Sequence, residues 1–220
     1  MLAVAFSLVP ALGIIVWTGL EHSIFIAQLD RDDAMRQVEN FAEIQFRITE
    51  STRQLLSTLA ALPEFRTVDH ERAGIILKAI LAGNTGYLNF TMVDTHGIVV
   101  ASSRLAAGTD LGSRYHVIAA LENRRFTVGE YITNMVDEAP SIAYCQPVFD
   151  ESDRLSGALT ATIVLDSYGR LFEQLKLPDE AILGLVDRSG TRLFFHPPKP
   201  TNPVGGPIKG SVWDAMSAGG

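Results

Sequence analysis

Cysteine is almost absent from this sequence. Its 220 residues include one, Cys145, so an intrachain disulfide is excluded and the fold must be held by its hydrophobic core. Cys145 lies within the apolar run of residues 141–149. We therefore interpret it as a buried structural thiol in preference to a reactive one, because a free thiol packs like a small apolar group.

Basic charge is also scarce, with 18 Lys and Arg residues against 25 Asp and Glu residues and a formal net charge of -7. No basic stripe with interleaved aromatic residues occurs. A nucleic-acid partner is therefore not expected, because such proteins need clustered cations to contact phosphates. The length is enough for one or two domains with a real core.

Patterns of catalytic and metal-binding residues are missing as well. No G-x-S-x-G, H-E-x-x-H or phosphate-loop pattern occurs. Asp94 and Asp187 both fall in predicted hairpin turns, where aspartate is common. We expect no enzyme activity, no bound metal and no cofactor. The histidines do not cluster at metal-ligand spacing; they are His22, His70, His96, His116 and His196.

Charge is absent altogether from the first segment, Met1 to Leu20. About 20 apolar residues span the hydrocarbon core of a bilayer, so this segment predicts a transmembrane anchor over residues 1–22. A cleaved signal peptide and a buried core helix are the alternatives. A signal peptide is disfavoured because the run is long, lacks a basic leader and is not followed by a clear cleavage site. No Lys or Arg precedes the run, so charge does not fix its orientation.

Residues 21–62 are predicted to form one long helix. Apolar residues recur in steps of three, four and seven along it, and charged residues occupy the opposite face. Pro63 is expected to end the helix. At about 1.5 Å per residue such a rod is about 60 Å long, so its apolar stripe can bury against a domain, a partner helix or both. A homodimer through this helix is expected.

The remainder of the chain alternates short helices and strands. Asp69 is a suitable N-cap for a helix over residues 69–82, and Gly83 and Asn84 supply its end. Two more helices are predicted over residues 113–122 and 167–175. Strands are predicted over residues 87–93, 98–102, 126–131, 141–149 and 155–166.

One hairpin pattern occurs twice. The sequence from Met92 to Gly97 recurs from Leu185 to Gly190 as an apolar residue, Val, Asp, two variable residues and Gly. Two unrelated hairpins can share Asp and Gly in their turns, so chance is the alternative. The repeat suggests that a second unit of the same kind begins near residue 181.

Four segments in this order resemble the double-Cache sensor family, whose members are the extracytoplasmic sensors of bacterial chemoreceptors, histidine kinases and diguanylate cyclases. They are Asn89 to Asp94 with Gly97, Gly108 to Arg114, Val128 to Tyr131, and Gly157 to Asp166. The resemblance covers residues 37–213.

The resemblance implies an α+β fold, in which a membrane helix continues into a long helix that packs on two PAS-like antiparallel-sheet units. The implied domains are a transmembrane anchor (1–22), the long helix (23–64), a membrane-distal ligand-binding unit (65–172) and the start of a membrane-proximal unit (173–220). The second unit is expected to be incomplete, with the second membrane helix and the cytoplasmic output beyond this chain.

The resemblance also implies where a ligand binds. Arg114 is the first candidate, because a guanidinium matches two carboxylate oxygens; the alternative is a surface arginine. His116 either contacts the ligand or is a packing histidine. Tyr131 is either a pocket residue or a cross-strand packing residue. Tyr144 and Thr162 are weaker candidates, for which a structural role is the alternative.

The sequence departs from the amino-acid-binding members of that family. His116, Thr133 and Thr162 stand where those members have an aromatic residue and two aspartates. Without a carboxylate to pair an ammonium group, a free α-amino acid is a poor ligand. A small anion such as an organic acid is expected instead.

These observations predict the sensor region of a receptor in the bacterial inner membrane, with most of this chain outside the cytoplasm. It would bind a small molecule in the distal unit and pass a conformational signal through the membrane helix. The alternative is a ligand-free module that serves structure or dimerisation.

Overall fold

The computed structural model describes residues 35–67, 69–167, 182–208 and 210. It divides the chain into two compact units, residues 1–44 and 45–220. The first unit is described over residues 35–44, which are helical. The predicted anchor lies outside the described residues. Within the ranges just given, no helix combines the length and the apolar character needed to span a bilayer.

Three helices precede the sheet within the described part of the chain. Helix α1 is described over residues 35–60, in agreement with the predicted long helix. Pro63 follows its end but also opens the short helix α2, Pro63–Arg66, because proline suits the first position of a helix. Helix α3 is His70–Gly83, and the side chain of Asp69 caps it by accepting from Arg72 N at 3.2 Å, as predicted.

A five-stranded antiparallel sheet forms the centre of the second unit. Its spatial order is β2-β1-β5-β4-β3, so β5 lies in the middle. Residues 157–163 of β5 are all buried, which is typical of a central strand covered on both faces. The elements are β1 Asn89–Val93, β2 Val99–Ser102, α4 Tyr115–Asn123, β3 Thr127–Thr133, β4 Pro140–Phe149 and β5 Leu155–Val164.

The two faces of this sheet have different coverings. On one face Cys145 packs with Val117 and Ala120 of α4. Side chains alternate along a strand, so Tyr144 points to the other face together with Phe90. Phe90 contacts the ring of Tyr87, whose hydroxyl lies 2.9 Å from Thr52 Oγ1 of α1. Helix α1 therefore packs on the face opposite α4, as the buried side chains of its residues 52, 56 and 59 also indicate.

A second, two-stranded antiparallel sheet consists of β6, Leu183–Val186, and β7, Arg192–His196. Its turn has the geometry of the β1–β2 turn. The carbonyl of Asp94 accepts from Gly97 N at 3.1 Å, and that of Asp187 accepts from Gly190 N at 3.0 Å. Both glycines have φ near +80°, a region that L side chains rarely adopt. The predicted repeat is therefore a repeat of structure as well as of sequence.

The domain boundaries at residues 64 and 172 stay predictions, and the predicted helix over residues 167–175 lies mostly outside the described residues.

The turn of the second sheet contacts the first sheet. Asp187 Oδ2 accepts from the backbone N of Tyr131 in β3 at 2.8 Å. The guanidinium of Arg188 lies 4.4 Å from the centre of the Tyr115 ring at the start of α4, and its Nε lies 3.6 Å from Glu130 Oε1. The two sheets therefore meet at β3 and at the first turn of α4.

The difference between the two aspartate turns predicts a difference in stability. Asp94 Oδ1 accepts from two backbone N–H groups of its own turn. Asp187 is 7% exposed and accepts from three groups of its own turn as well as from Tyr131 N. We expect Asp187→Ala to lower the free energy of unfolding by about 3 kcal/mol and Asp94→Ala by about 1 kcal/mol, since lost hydrogen bonds to a buried charge cost more. Urea unfolding of both variants checks this, and equal losses would contradict it.

Candidate functional site

A cavity lies at the start of α4, over the face of the sheet that α4 covers. It holds about 390 Å³ of space, which includes its open mouth. Its polar lining residues are Asn89, Thr91, Arg114, His116, Asn134, Thr160 and Thr162, and its apolar ones are Leu88, Leu105, Leu111, Ile132, Met135 and Val136.

The floor of the cavity is a square of polar residues on two adjacent strands. Asn89 is paired with Thr162 and Thr91 with Thr160, so all four side chains point to the same face. Asn89 donates to Thr91 Oγ1 at 2.7 Å, and its Oδ1 accepts from Ser103 Oγ at 2.8 Å. Internal hydrogen bonds thus hold the two floor residues of β1 in place. The two threonines of β5 line the cavity beside them.

Arg114 is the cation of the cavity. It is the N-cap residue of α4, and its side chain is half-buried. Its guanidinium donates a long hydrogen bond, 3.5 Å, to the carbonyl of Thr133. The start of a helix carries unpaired N–H groups and a partial positive charge, and the guanidinium adds a full one. Together they favour an anion at this end of the cavity.

His116 stands in the first turn of the same helix and is 3% exposed. Its Nδ1 is buried without a hydrogen-bond partner in the part of the chain that the structure describes. Burial, and secondarily the charge of Arg114, lower the pKa of His116 to about 4. The imidazole is therefore neutral at pH 7, with one nitrogen able to donate and the other to accept.

Gly129 makes room for this histidine. A Cβ atom at position 129 would lie 3.1 Å from His116 Cβ and 2.5 Å from the carbonyl oxygen of Ala143. The pairing of β3 with β4 shifts between Val128 and Tyr131, around this glycine. The irregularity in β3 thus lets α4 approach the sheet closely at His116.

Asn134 shapes the rim of the cavity. Its Oδ1 accepts from the backbone N of Val136 at 2.8 Å, and its Nδ2 donates to Asp137 Oδ1 at 2.7 Å and to Ser141 Oγ at 3.0 Å. These bonds fix the loop between β3 and β4. They place Met135, which is 51% exposed, and Val136 beside the cavity.

The structure brings three of the five sequence-predicted site residues to one cavity, namely Arg114, His116 and Thr162. Tyr131 and Tyr144 are not among the residues that line it. Tyr131 is paired with Ile142 and lies close to Gly205 of the loop after β7, which fits the packing interpretation.

Tyr144 lies on the opposite face of the sheet from the cavity. It precedes Cys145 in β4, and successive side chains of a strand point to opposite faces. It is fully buried, with its ring 6.0 Å from that of Phe126. Thr133, at a position where amino-acid-binding members have an aspartate, is exposed and contributes its carbonyl to Arg114.

Sequence reasoning missed Asn89, Thr91, Thr160 and Asn134. The first three could have been found, because polar residues at alternate positions of two otherwise apolar strands indicate a polar patch on one face. Asn134 gives no such indication, since asparagine is common in loops.

Metal and thiol chemistry find no support in the described ranges. No group of three or more potential metal ligands occurs among the described residues. Cys145 is buried, and burial raises the pKa of its thiol. Its interpretation as a structural thiol is confirmed.

The comparisons with solved structures identify the fold. An extracellular ligand-binding receptor from Desulfohalobium retbaense matches with a TM-score of 0.69 and 18% identity, over 82% of this chain and 34% of that one. The sensor domain of the V. cholerae histidine kinase DctB matches with a TM-score of 0.63 and 10% identity, over 84% and 74%. The ligand-binding domain of the Pseudomonas fluorescens chemoreceptor CtaA, solved with L-serine, matches with a TM-score of 0.63 and 16% identity, over 84% and 79%.

This chain has the fold of Cache-type sensor domains. The predicted resemblance is thereby confirmed at the level of the fold, and the matched domains are sensor or ligand-binding domains, not enzymes. This chain spans about a third, 34%, of the length of the Desulfohalobium receptor. No protein-family model matches the sequence, and no curated protein matches it.

The buried histidine predicts a pH dependence of stability. The pKa of His116 is lowered from 6.5 to about 4 in the folded chain, so between these values the unfolded chain binds a proton that the folded chain does not. The free energy of unfolding therefore falls as the pH falls through this window, by about 3 kcal/mol in total. This contribution is complete above pH 6.5 and lost below pH 4.

We expect His116→Gln to flatten the dependence of the unfolding free energy on pH, measured by urea unfolding between pH 7 and pH 4. His96→Gln is the matched control, because the side chain of His96 is 84% exposed. An unchanged pH dependence in the His116 variant would show that the pKa of this histidine is the same in the folded and the unfolded chain.

Proposed function

We propose that this chain is the extracytoplasmic sensor region of a bacterial transmembrane receptor, and that the cavity beneath α4 binds a small carboxylate. The observation that supports this most is that Arg114 and His116 line one cavity, and that Nδ1 of His116 is buried without a partner among the described residues. A buried polar atom without a partner is rare in a folded protein, and a bound ligand would supply the missing hydrogen bond.

The charge of the cavity supports an anion. Arg114 is a cation, the α4 N-terminus adds partial positive charge, and none of the described residues that line the cavity is acidic. The CtaA domain was solved with L-serine, which also carries a carboxylate. A ligand that carries a carboxylate is therefore the common element between that domain and our proposal.

The route of the signal is part of the proposal. The cavity lies on one face of the sheet and α1 packs on the other, where Thr52 contacts Tyr87. A ligand that favours one position of α4 shifts the sheet, and through it α1, by as much as its affinity differs between the two states. With the predicted anchor at residues 1–22, such a shift would reach the membrane. The output domain and dimerisation through α1 belong to the same proposal.

The experiment that tests this function is a thermal-shift screen of the purified chain against organic acids and amino acids, followed by titration calorimetry. A ligand that binds the folded chain at a hundredfold excess over Kd stabilises it by about 2.7 kcal/mol. We expect small carboxylates to raise Tm. Arg114→Ala should weaken binding about ten- to a hundredfold, because it removes charge-assisted hydrogen bonds.

Arg125→Ala is the matched control, since Arg125 is exposed beyond the end of α4 and does not line the cavity. Its Kd should equal that of the parent chain. A cooperatively melting chain that no carboxylate stabilises would refute the proposal and favour the ligand-free structural module.

A further inference from the structure

Besides Arg114, the cavity has a second side chain that can recognise part of a ligand, namely His116. Arg114, the N-cap residue of α4, and His116, in the first turn of that helix, both line the cavity. A ligand that places a carboxylate at Arg114 therefore brings the next part of its skeleton towards the imidazole. His116 is the side chain that follows Arg114 along this cavity, and its Nδ1 is buried without a partner among the described residues.

Positive charge is disfavoured beside this second side chain. Burial and the nearby Arg114 both lower the pKa of His116, and the same two causes would act on an ammonium group of a ligand beside it. The described floor residues Thr160 and Thr162 offer hydroxyls and no formal charge. A buried ammonium needs an anionic partner, whereas a hydroxyl or carbonyl group needs only a neutral one.

We infer that the ligand carries an uncharged hydroxyl or carbonyl group next to its carboxylate, as 2-hydroxy and 2-oxo acids do, and that His116 is the residue that selects it. This inference rests on the proposed function, because Arg114 must first hold the carboxylate. In one tautomer of a neutral imidazole, Nδ1 carries no proton and accepts a hydrogen bond from a hydroxyl group. In the other tautomer, Nδ1 carries the proton and donates to a hydroxyl or a carbonyl group. A ligand with a plain methylene at this position leaves Nδ1 unpaired.

The test uses two isosteric series of acids, so that only the group next to the carboxylate changes. The three-carbon series is lactate, pyruvate, propionate and alanine, and the four-carbon series is malate, oxaloacetate, succinate and aspartate. Titration calorimetry of the full chain gives Kd for each. In the series that fits the cavity, we expect the hydroxy or oxo acid to bind at least about tenfold more tightly than the plain acid and the amino acid.

Two variants of one residue assign the selection to its side chain. His116→Leu fills the space without a polar atom, and it should remove the preference for the hydroxy acid over the plain acid. His116→Asn keeps a polar group close to the position of Nδ1, and it should retain most of that preference. Urea unfolding establishes that each variant is folded, and Arg114→Ala should weaken the binding of all the acids alike, by about ten- to a hundredfold.

The outcomes separate this inference from the proposed function. If the amino acid or the plain acid binds as tightly as the hydroxy and oxo acids, and Arg114→Ala still weakens binding of them all, the carboxylate site stands and the inference is overturned. The same holds if a folded His116→Leu variant keeps the full preference. If no acid of either series binds, the proposed carboxylate site fails, and the inference with it.

Discussion

The antiparallel pairing of β5 between β1 and β4 is the constraint on which the rest of the structure depends. It aligns Thr160 and Thr162 with Thr91 and Asn89 on one face, and it turns the large side chains of Phe90 and Tyr144 to the other. A slip of one residue would exchange the two faces and place threonines in the apolar layer beneath α1. Burial of both faces fixes the register, so the polar floor and the packing of α1 follow from the same set of hydrogen bonds.

The cavity lies where the structure around α4 departs from the regular packing of a protein core. Gly129 and the irregular pairing of β3 let the helix approach the sheet, where His116 is buried without a partner for Nδ1. Such an arrangement lowers stability, because a buried polar atom has lost its water. Departures of this kind are expected at functional sites, where a bound ligand supplies the hydrogen bond that the protein itself does not.

The second sheet contacts the first sheet and α4 next to residues that line the cavity. Arg188 stacks on Tyr115, which stands between the two cavity residues of α4, and Asp187 holds the backbone of Tyr131, which precedes the cavity residue Ile132. The first sheet therefore has α1 on one face, the cavity on the other, and the second sheet at its β3 edge.

The sequence by itself determined the local elements and the class of the fold. Helical periodicity, the Asp69 cap and the two Asp-Gly turns depend on neighbours in the chain, so α1, α3 and both hairpins could be predicted, and the ordered set of motifs indicated the sensor fold. Of the residues that line the cavity, the sequence had pointed to Arg114, His116 and Thr162. Only the tertiary structure decided that Tyr131 and Tyr144 lie away from the cavity, that Asn89 and Thr160 belong to it, and that His116 is buried. The physical reason is that register, the irregularity at Gly129 and desolvation arise between segments far apart in the chain, and sequence patterns do not encode those distances.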